Sequence, residues 1–354
     1  MKVMKLALLG TAALVVASMG ARAENLDTLK AQMDSLTLNA VADAPAAATT
    51  SVTWTGWVRG GILTQYSGQF TNRYSTDIIA RGEIVVVGKT DTAVGEVGAK
   101  VALETSNLTD SGFGYMGGNG AVTTDGFSGW WKLTPNVTMT VGILGNLSKS
   151  NYSYDAICTC WYNGSGGGIN ASGLSGDPAA VQLAYADGPL SFAVQVEDSN
   201  NFNNSSAFGG TAKIGYKADM FGIDLSGGYW GNTVGDAGWS ASVGLGATFN
   251  PITLGVVVGT GHTLGAPGFD YTKAGGFAKL ALGDTSRLEL GISHDFGSSA
   301  IDVAAGQTFF GGGVYYSPVK QITIGAEGGY TSGGSSVGNN NGAYAADLVT
   351  VFAF

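Results

Sequence analysis

The stretch AYAADLVTVFAF, residues 343–354, decides how the rest of the chain is read. One alternate set is Tyr344, Ala346, Leu348, Thr350, Phe352 and Phe354; the other is Ala345, Asp347, Val349, Val351 and Ala353. A period of two marks a strand, because successive side chains point to opposite faces. A strand at a chain end frays unless another strand pairs with it. Residues 343–354 therefore need a partner strand, and surroundings in which Phe352 and Phe354 can face outward.

The same alternation recurs upstream. ITIGAEGGY (322–330) sets Ile322, Ile324, Ala326 and Tyr330 against Thr323, Gly325 and Glu327. WSASVGLGATF (239–249) sets Trp239, Val243, Leu245 and Phe249 against serines and glycines. LSFAVQVED (190–198) and RLELGISHD (287–295) follow the same rule. Each segment has one apolar face, tipped with aromatics, and one small or polar face. A soluble sandwich buries its apolar faces and shows charge outside. Here only 12% of residues are charged, against the roughly 25% of soluble domains, while 44% are hydrophobic. With 58 glycines and only 7 prolines, the composition is not that of a disordered chain either. A transmembrane β-barrel inverts the sandwich, with apolar residues to lipid and polar residues to a wet lumen. Closure is obligatory there, since an open edge leaves backbone groups unsatisfied in lipid.

Sixteen such segments can be marked between Ser51 and Phe354, among them 74–87, 137–147, 301–315 and 320–331. An even count suits a bacterial barrel. Tight turns (TPN, DGP, NP, GDT, SPVKQ) alternate with long polar loops such as EDSNNFNNSS and TSGGSSVGNNNG. The fold expected is an all-β, 16-stranded antiparallel transmembrane barrel over residues 51–354. Closure pairs the last strand with TWTGWVRGGILTQY (53–66), and Phe352 and Phe354 then join an aromatic girdle with Trp54, Tyr185 and Phe249; Tyr229, Trp239 and Tyr330 suit a second girdle at the other rim.

Ahead of the barrel, MKVMK, an apolar run and ARA form a secretory signal peptide over residues 1–23. The run is too short for a spanning helix. Its removal leaves 14 basic against 26 acidic residues, a net charge of −12, which argues against nucleic-acid binding. Residues 24–50 hold a short helix, LDTLKAQMDSL, with Leu26, Leu29, Met33 and Leu36 at a/d spacing, and then a linker. The helix reads as a small coiled coil in a trimer or as a frayed amphipathic stub. Cys158 and Cys160, as CTC, are two free thiols or one strained bond.

The signal peptide, the sixteen segments, the terminal Phe354 and one long loop after the fifth strand together resemble the general porins of Gram-negative outer membranes, of the alphaproteobacterial type. VFAF resembles the C-terminal signal read by the outer-membrane assembly machinery. The resemblance implies an outer-membrane location, contact with outer-membrane lipid, a homotrimer with one pore per chain, and no cofactor. It also implies that the long loop, 148–178, folds into the barrel as a constriction. Asp155 and Asp177 are then its acidic members and Tyr152, Tyr154, Trp161 and Tyr162 its bulk; the alternative is a loop lying outside as a lid. The opposite wall should carry the other charge. Alternation turns Arg59, Arg81, Lys100 and Lys132 inward on four neighbouring strands, with Glu83, Glu96 and Glu104 beside them.

The function that follows is passive diffusion of small hydrophilic solutes and ions through a water-filled pore, biased by charge. A substrate-specific channel would need a ladder of aromatic or basic residues along the lumen, and the Gly- and Ser-rich inner faces lack one. A surface adhesin or anchor needs no open lumen, yet a sixteen-stranded ring is too wide for small side chains to fill. No enzyme is expected. The histidines are His262 and His294, and His294 and Asp295 are strand neighbours that face opposite ways. Two distant histidines and one cysteine pair predict no zinc site. The Asn-rich loops are calcium sites or simply solvated.

Overall fold

The computed structural model describes residues 50–67, 73–106, 122–152, 178–198, 208–231, 235–263, 268–297, 306–332 and 343–354. The signal peptide, the helical stub, Cys158, Cys160 and the loop beyond Tyr152, with Asp155 and Asp177, lie outside the described residues.

Sixteen strands follow in chain order: β1 (Thr50–Ser67), β2 (Arg73–Thr92), β3 (Gly95–Ser106), β4 (Val122–Thr134), β5 (Val137–Ile143), β6 (Ala179–Asp187), β7 (Leu190–Asp198), β8 (Phe208–Lys217), β9 (Phe221–Trp230), β10 (Gly238–Phe249), β11 (Ile252–His262), β12 (Asp270–Ala281), β13 (Ser286–Asp295), β14 (Thr308–Val319), β15 (Ile322–Thr331) and β16 (Ala343–Ala353). Each pairs antiparallel with its chain neighbours, and β16 returns to β1 to close the ring. Closure runs from Trp57↔Ala353 to Ser67↔Ala343. Gly56 and Phe354 finish it with two reciprocal backbone hydrogen bonds of 3.0 Å. Thr50–Thr55 of β1 continue beyond this point against β2 alone.

Alternation sets the two faces. On β10, Trp239, Val243, Leu245 and Phe249 are exposed on the outside, while Ser240, Ser242 and Gly244 are buried on the inner wall. On β16, Leu348 and Phe352 are more than half exposed, and Asp347 and Val349 are turned in and buried. The same apolar exterior continues through Val256 and Val258 of β11, Leu290 and Ile292 of β13 and Val314 of β14. This is the surface that lipid accepts and water does not. Trp54, Phe249, Phe352, Phe354, Tyr229, Trp239 and Tyr330 are all exposed on it. Tyr185 is half-buried, with its hydroxyl 3.3 Å from Asp187. At the far rim, outward Tyr66, Tyr74 and Tyr344 form a ring cluster, with centroids 4.7 Å and 5.3 Å from Tyr66.

The short turns fall where Pro, Gly, Asn and Asp cluster. Gly188 (φ 53°) and Gly283 (φ 77°) take the left-handed conformation at the β6–β7 and β12–β13 turns, which a Cβ would strain. Several strand ends differ from the sequence reading. β2 runs on to Thr92, paired with β1 and β3, past the Val85–Val86–Val87 run that fills both faces and hides the alternation. β14 starts at Thr308 and keeps Ser317 and Pro318 inside the strand, so the turn to β15 is shorter than SPVKQ. A register shift between Tyr316 and Val319 absorbs the proline, which has no N–H to give the ladder. β5 stops at Ile143, because the chain beyond it turns off the wall and into the ring.

Candidate functional site

The inner wall has three distinct regions. The first spans β1 to β4. Register pairs Arg59 directly with Arg81, and Trp57 with Glu83. Both guanidinium groups lie over the Trp57 ring, at 4.8 Å for Arg59 and 5.8 Å for Arg81. That geometry suits the planar, weakly hydrated guanidinium. Trp57 Nε1 donates to Glu83 Oε2 at 2.8 Å. Arg81 grips Glu104 with two donors, Nη2 to Oε2 at 2.6 Å and Nε to Oε1. A bidentate pair of this kind fixes both side chains.

Lys100 and Lys132 also face in, but at other levels. Lys100 pairs across the sheet with Val87 and Ser128 and is exposed. Lys132 lies near the short-turn rim, where Glu96 binds both Lys132 (3.0 Å) and Lys89 (3.1 Å). Glu96 aligns with Asp91, about 30 Å further along β2 than Arg81, taking roughly 3.3 Å per residue. The structure thus brings Arg59, Arg81, Glu83 and Glu104 together and leaves Lys132 in a separate ion-pair group.

The second region is where the segment after β5 lies against the inner faces of β8 to β10. Ser150 Oγ donates to Asp224 Oδ1 at 2.7 Å, and the Asn151 N–H donates to Asp224 Oδ2 at 2.7 Å. Asp224 is fully buried. Ser226 Oγ and Ser242 Oγ both donate to the Ser148 carbonyl, at 2.9 Å and 3.3 Å. Lys213 Nζ donates to the Lys149 carbonyl and to Asn151 Oδ1. Glycines make room for this packing. A Cβ on Gly244 would strike Ser150 and Tyr152, and one on Gly222 or Gly246 would strike Tyr152. Burial, and then the Asp224 charge, push the Tyr152 phenol above its ordinary pKa, so it stays a neutral hydroxyl.

The third region runs across β13 to β16 and is acidic. Glu289, Glu327 and Asp347 are inward-facing and buried. Register aligns Glu289 with Gly313, Gly313 with Glu327, and Glu327 with Asp347. Arg287 Nε donates to Glu289 Oε1 at 2.7 Å, and Lys279 stands 4.0 Å from the same oxygen. On the neighbouring β12–β13 pair, Lys273 and Asp295 meet at 3.1 Å. His294 turns outward instead, against the Phe296 ring at 4.5 Å and Thr308 Oγ1 at 2.8 Å, so the HD pair does face opposite ways. Among the described residues, no three His, Cys, Asp or Glu side chains gather to hold a metal ion.

Sequence reasoning singled out Arg59, Arg81, Lys100 and Lys132 as one wall, of which Arg59 and Arg81 lie together, and missed the groups that make the other two regions. Asp224 is the one acid in FGIDLSGGYW and sits on the small-residue face, which was a readable signal. Lys213 on β8 is a lone base in the same position. Their joint purpose was not readable, because the partner segment, 148–152, follows no strand or helix period.

No family model matches the chain. No curated protein matches it either. Solved structures do. An engineered variant of Rhodopseudomonas blastica porin aligns over 86% of this chain and 100% of its own, at 19% identity and a TM-score of 0.60. A triple mutant of the same porin gives 19% identity and a TM-score of 0.61 over the same spans, and a further variant 20% and 0.57. At that identity the likeness is one of fold, and the fold is the 16-stranded antiparallel transmembrane barrel.

Proposed function

We propose that the chain is an outer-membrane porin, a water-filled pore through which small hydrophilic solutes and ions diffuse passively. The observation that carries this reading is the inner wall itself. It is a ring of sixteen strands lined with Ser, Gly, Thr and ion pairs, with a polar segment hydrogen-bonded inside it rather than a packed core. The whole of loop 148–178 is read as the constriction, with Asp155 and Asp177 on its lumen side facing the Arg59–Arg81 pair. The exposed aromatics at the two rims are read as interface girdles. Homotrimer formation, delivery by the assembly machinery through VFAF, and cleavage after Ala23 belong to the same proposal. Transport through such a pore needs no nucleophile and no cofactor.

The test is conductance in a planar bilayer with a salt gradient. Large stepwise openings, in threes for a trimer, support the pore. A folded barrel that stays silent overturns it and leaves a plugged, specific or adhesive barrel. The sign of the reversal potential reports ion preference. Because Glu104 neutralises Arg81, the two single variants should move it oppositely. Arg81→Gln should favour cations and Glu104→Gln anions, each by about twofold, the effect of one unit charge about 10 Å away in water. An unchanged reversal potential in both variants would show that neither side chain borders the conducting path.

A further inference from the structure

The acidic wall holds one carboxylate that the fold does not balance. Asp347 is 7% exposed, and both of its oxygens are buried without a hydrogen-bond partner. Its surroundings explain this. On its own strand the same-face neighbours are Ala345 and Val349, both buried and apolar. Across the sheet they are Leu63 on β1 and Glu327 on β15. The row therefore offers Asp347 one apolar side chain and one like charge. Arg59 acts on it through space, from further along β1, but donates to neither oxygen. The third acid of the wall, Glu289, is already matched by Arg287 and Lys279.

A buried, unpaired carboxylate beside a second one is costly unless a positive charge completes it. Glycines around Glu327 let an aromatic hydroxyl come close to the acid pair. Glu327 is flanked on its strand by Gly325 and Gly329 and across the sheet by Gly313. Tyr315 lies folded over Gly313 and Gly325, with its ring against both and its hydroxyl toward Glu327. The Arg287 guanidinium packs over that ring, 4.3 Å from its centre.

We propose that Asp347 and Glu327 form a lumen-wall site for a small divalent cation, completed by the Tyr315 hydroxyl and by water. The donors are all oxygens, the set that hard cations such as Ca²⁺ prefer over softer metals. Two carboxylates without a third make a weak, exchanging site rather than a structural one. Reaching it requires water in the lumen but no conduction across the membrane, so it can be tested in detergent, apart from the pore reading.

Terbium is the probe, since it replaces Ca²⁺ on oxygen ligands and its emission is sensitised by a nearby tyrosine such as Tyr315. The folded barrel should show saturable emission that Ca²⁺ competes away. Asp347→Asn, which keeps the side-chain volume, should weaken that binding by roughly tenfold, the equivalent of one lost charge-assisted ligand. Glu327→Gln should do the same, and it carries the test if the first variant fails to fold. Unchanged terbium binding in both variants would overturn the site and place any cation in the surface loops. Absence of binding in the unsubstituted barrel, with stability rising only as the pH falls, would overturn it too, in favour of a proton shared between the two acids.

Discussion

Leu348→Arg is expected to destabilise the barrel by about 2–4 kcal/mol, the cost of a basic side chain on the lipid face near the bilayer midplane. Leu348 is central in β16 and more than half exposed on the apolar exterior. Its neighbour Asp347 points the other way, so Asp347→Asn should cost little and, with no cation present, should stabilise by relieving the repulsion from Glu327. The pair of variants is a direct reading of the two faces. Reversible urea unfolding in lipid vesicles measures both. A Leu348→Arg barrel as stable as the parent would mean that this part of β16 does not face lipid.

Asp224→Ala is expected to free the segment inside the ring. Asp224 accepts from Ser150 Oγ and from the Asn151 N–H, both at 2.7 Å. Hydrogen bonds to a buried charge contribute about 1.5–3 kcal/mol each. Losing about 3 kcal/mol shifts a docking equilibrium by about 150-fold. The Lys213 ammonium, which also holds this segment, would lose the through-space attraction of the Asp224 charge. Single-channel records should show a larger and noisier current, and liposome swelling should extend to bulkier sugars. Gly246→Leu attacks the same contact from the wall side, because its side chain would occupy the place of the Tyr152 ring. If both variants conduct like the parent, residues 148–152 do not set the pore width.

Strand number and sidedness were legible because one physical rule, alternation between lipid and water, acts at nearly every position. It placed the outward Trp239, Leu245 and Phe249 and the inward Arg59 and Arg81 correctly from residue order alone. It failed where side chains stop reporting on a face. The three valines 85–87 blur β2, and the glycines 311–313 are silent in β14. It also could not supply height along the barrel, which depends on strand register. Register is why Lys132 pairs with Glu96 at one rim instead of joining Arg81. The Asp224 contacts and the acid pair on β15 and β16 arise between residues far apart in the chain, so no local pattern encodes them. Glu327 and Asp347 each look, alone, like an ordinary inward polar residue.

The seam between β1 and β16 has a kinetic meaning. It joins Trp57 to Ala353, so the contact that completes the ring spans nearly the whole barrel sequence. Topologies dominated by such distant pairings fold slowly, because a long loop must close before any reward arrives. Until residue 353 is in place, β1 carries an open row of amide and carbonyl groups that lipid cannot satisfy. Without β16 the two open edges are β1 and β15, which run in the same direction, so the antiparallel closure seen here is not open to a shorter ring. A chain stopped before β16 should therefore yield no smaller channel. It should remain a sticky, unfinished sheet, a substrate for chaperones and proteases rather than a leak in the membrane.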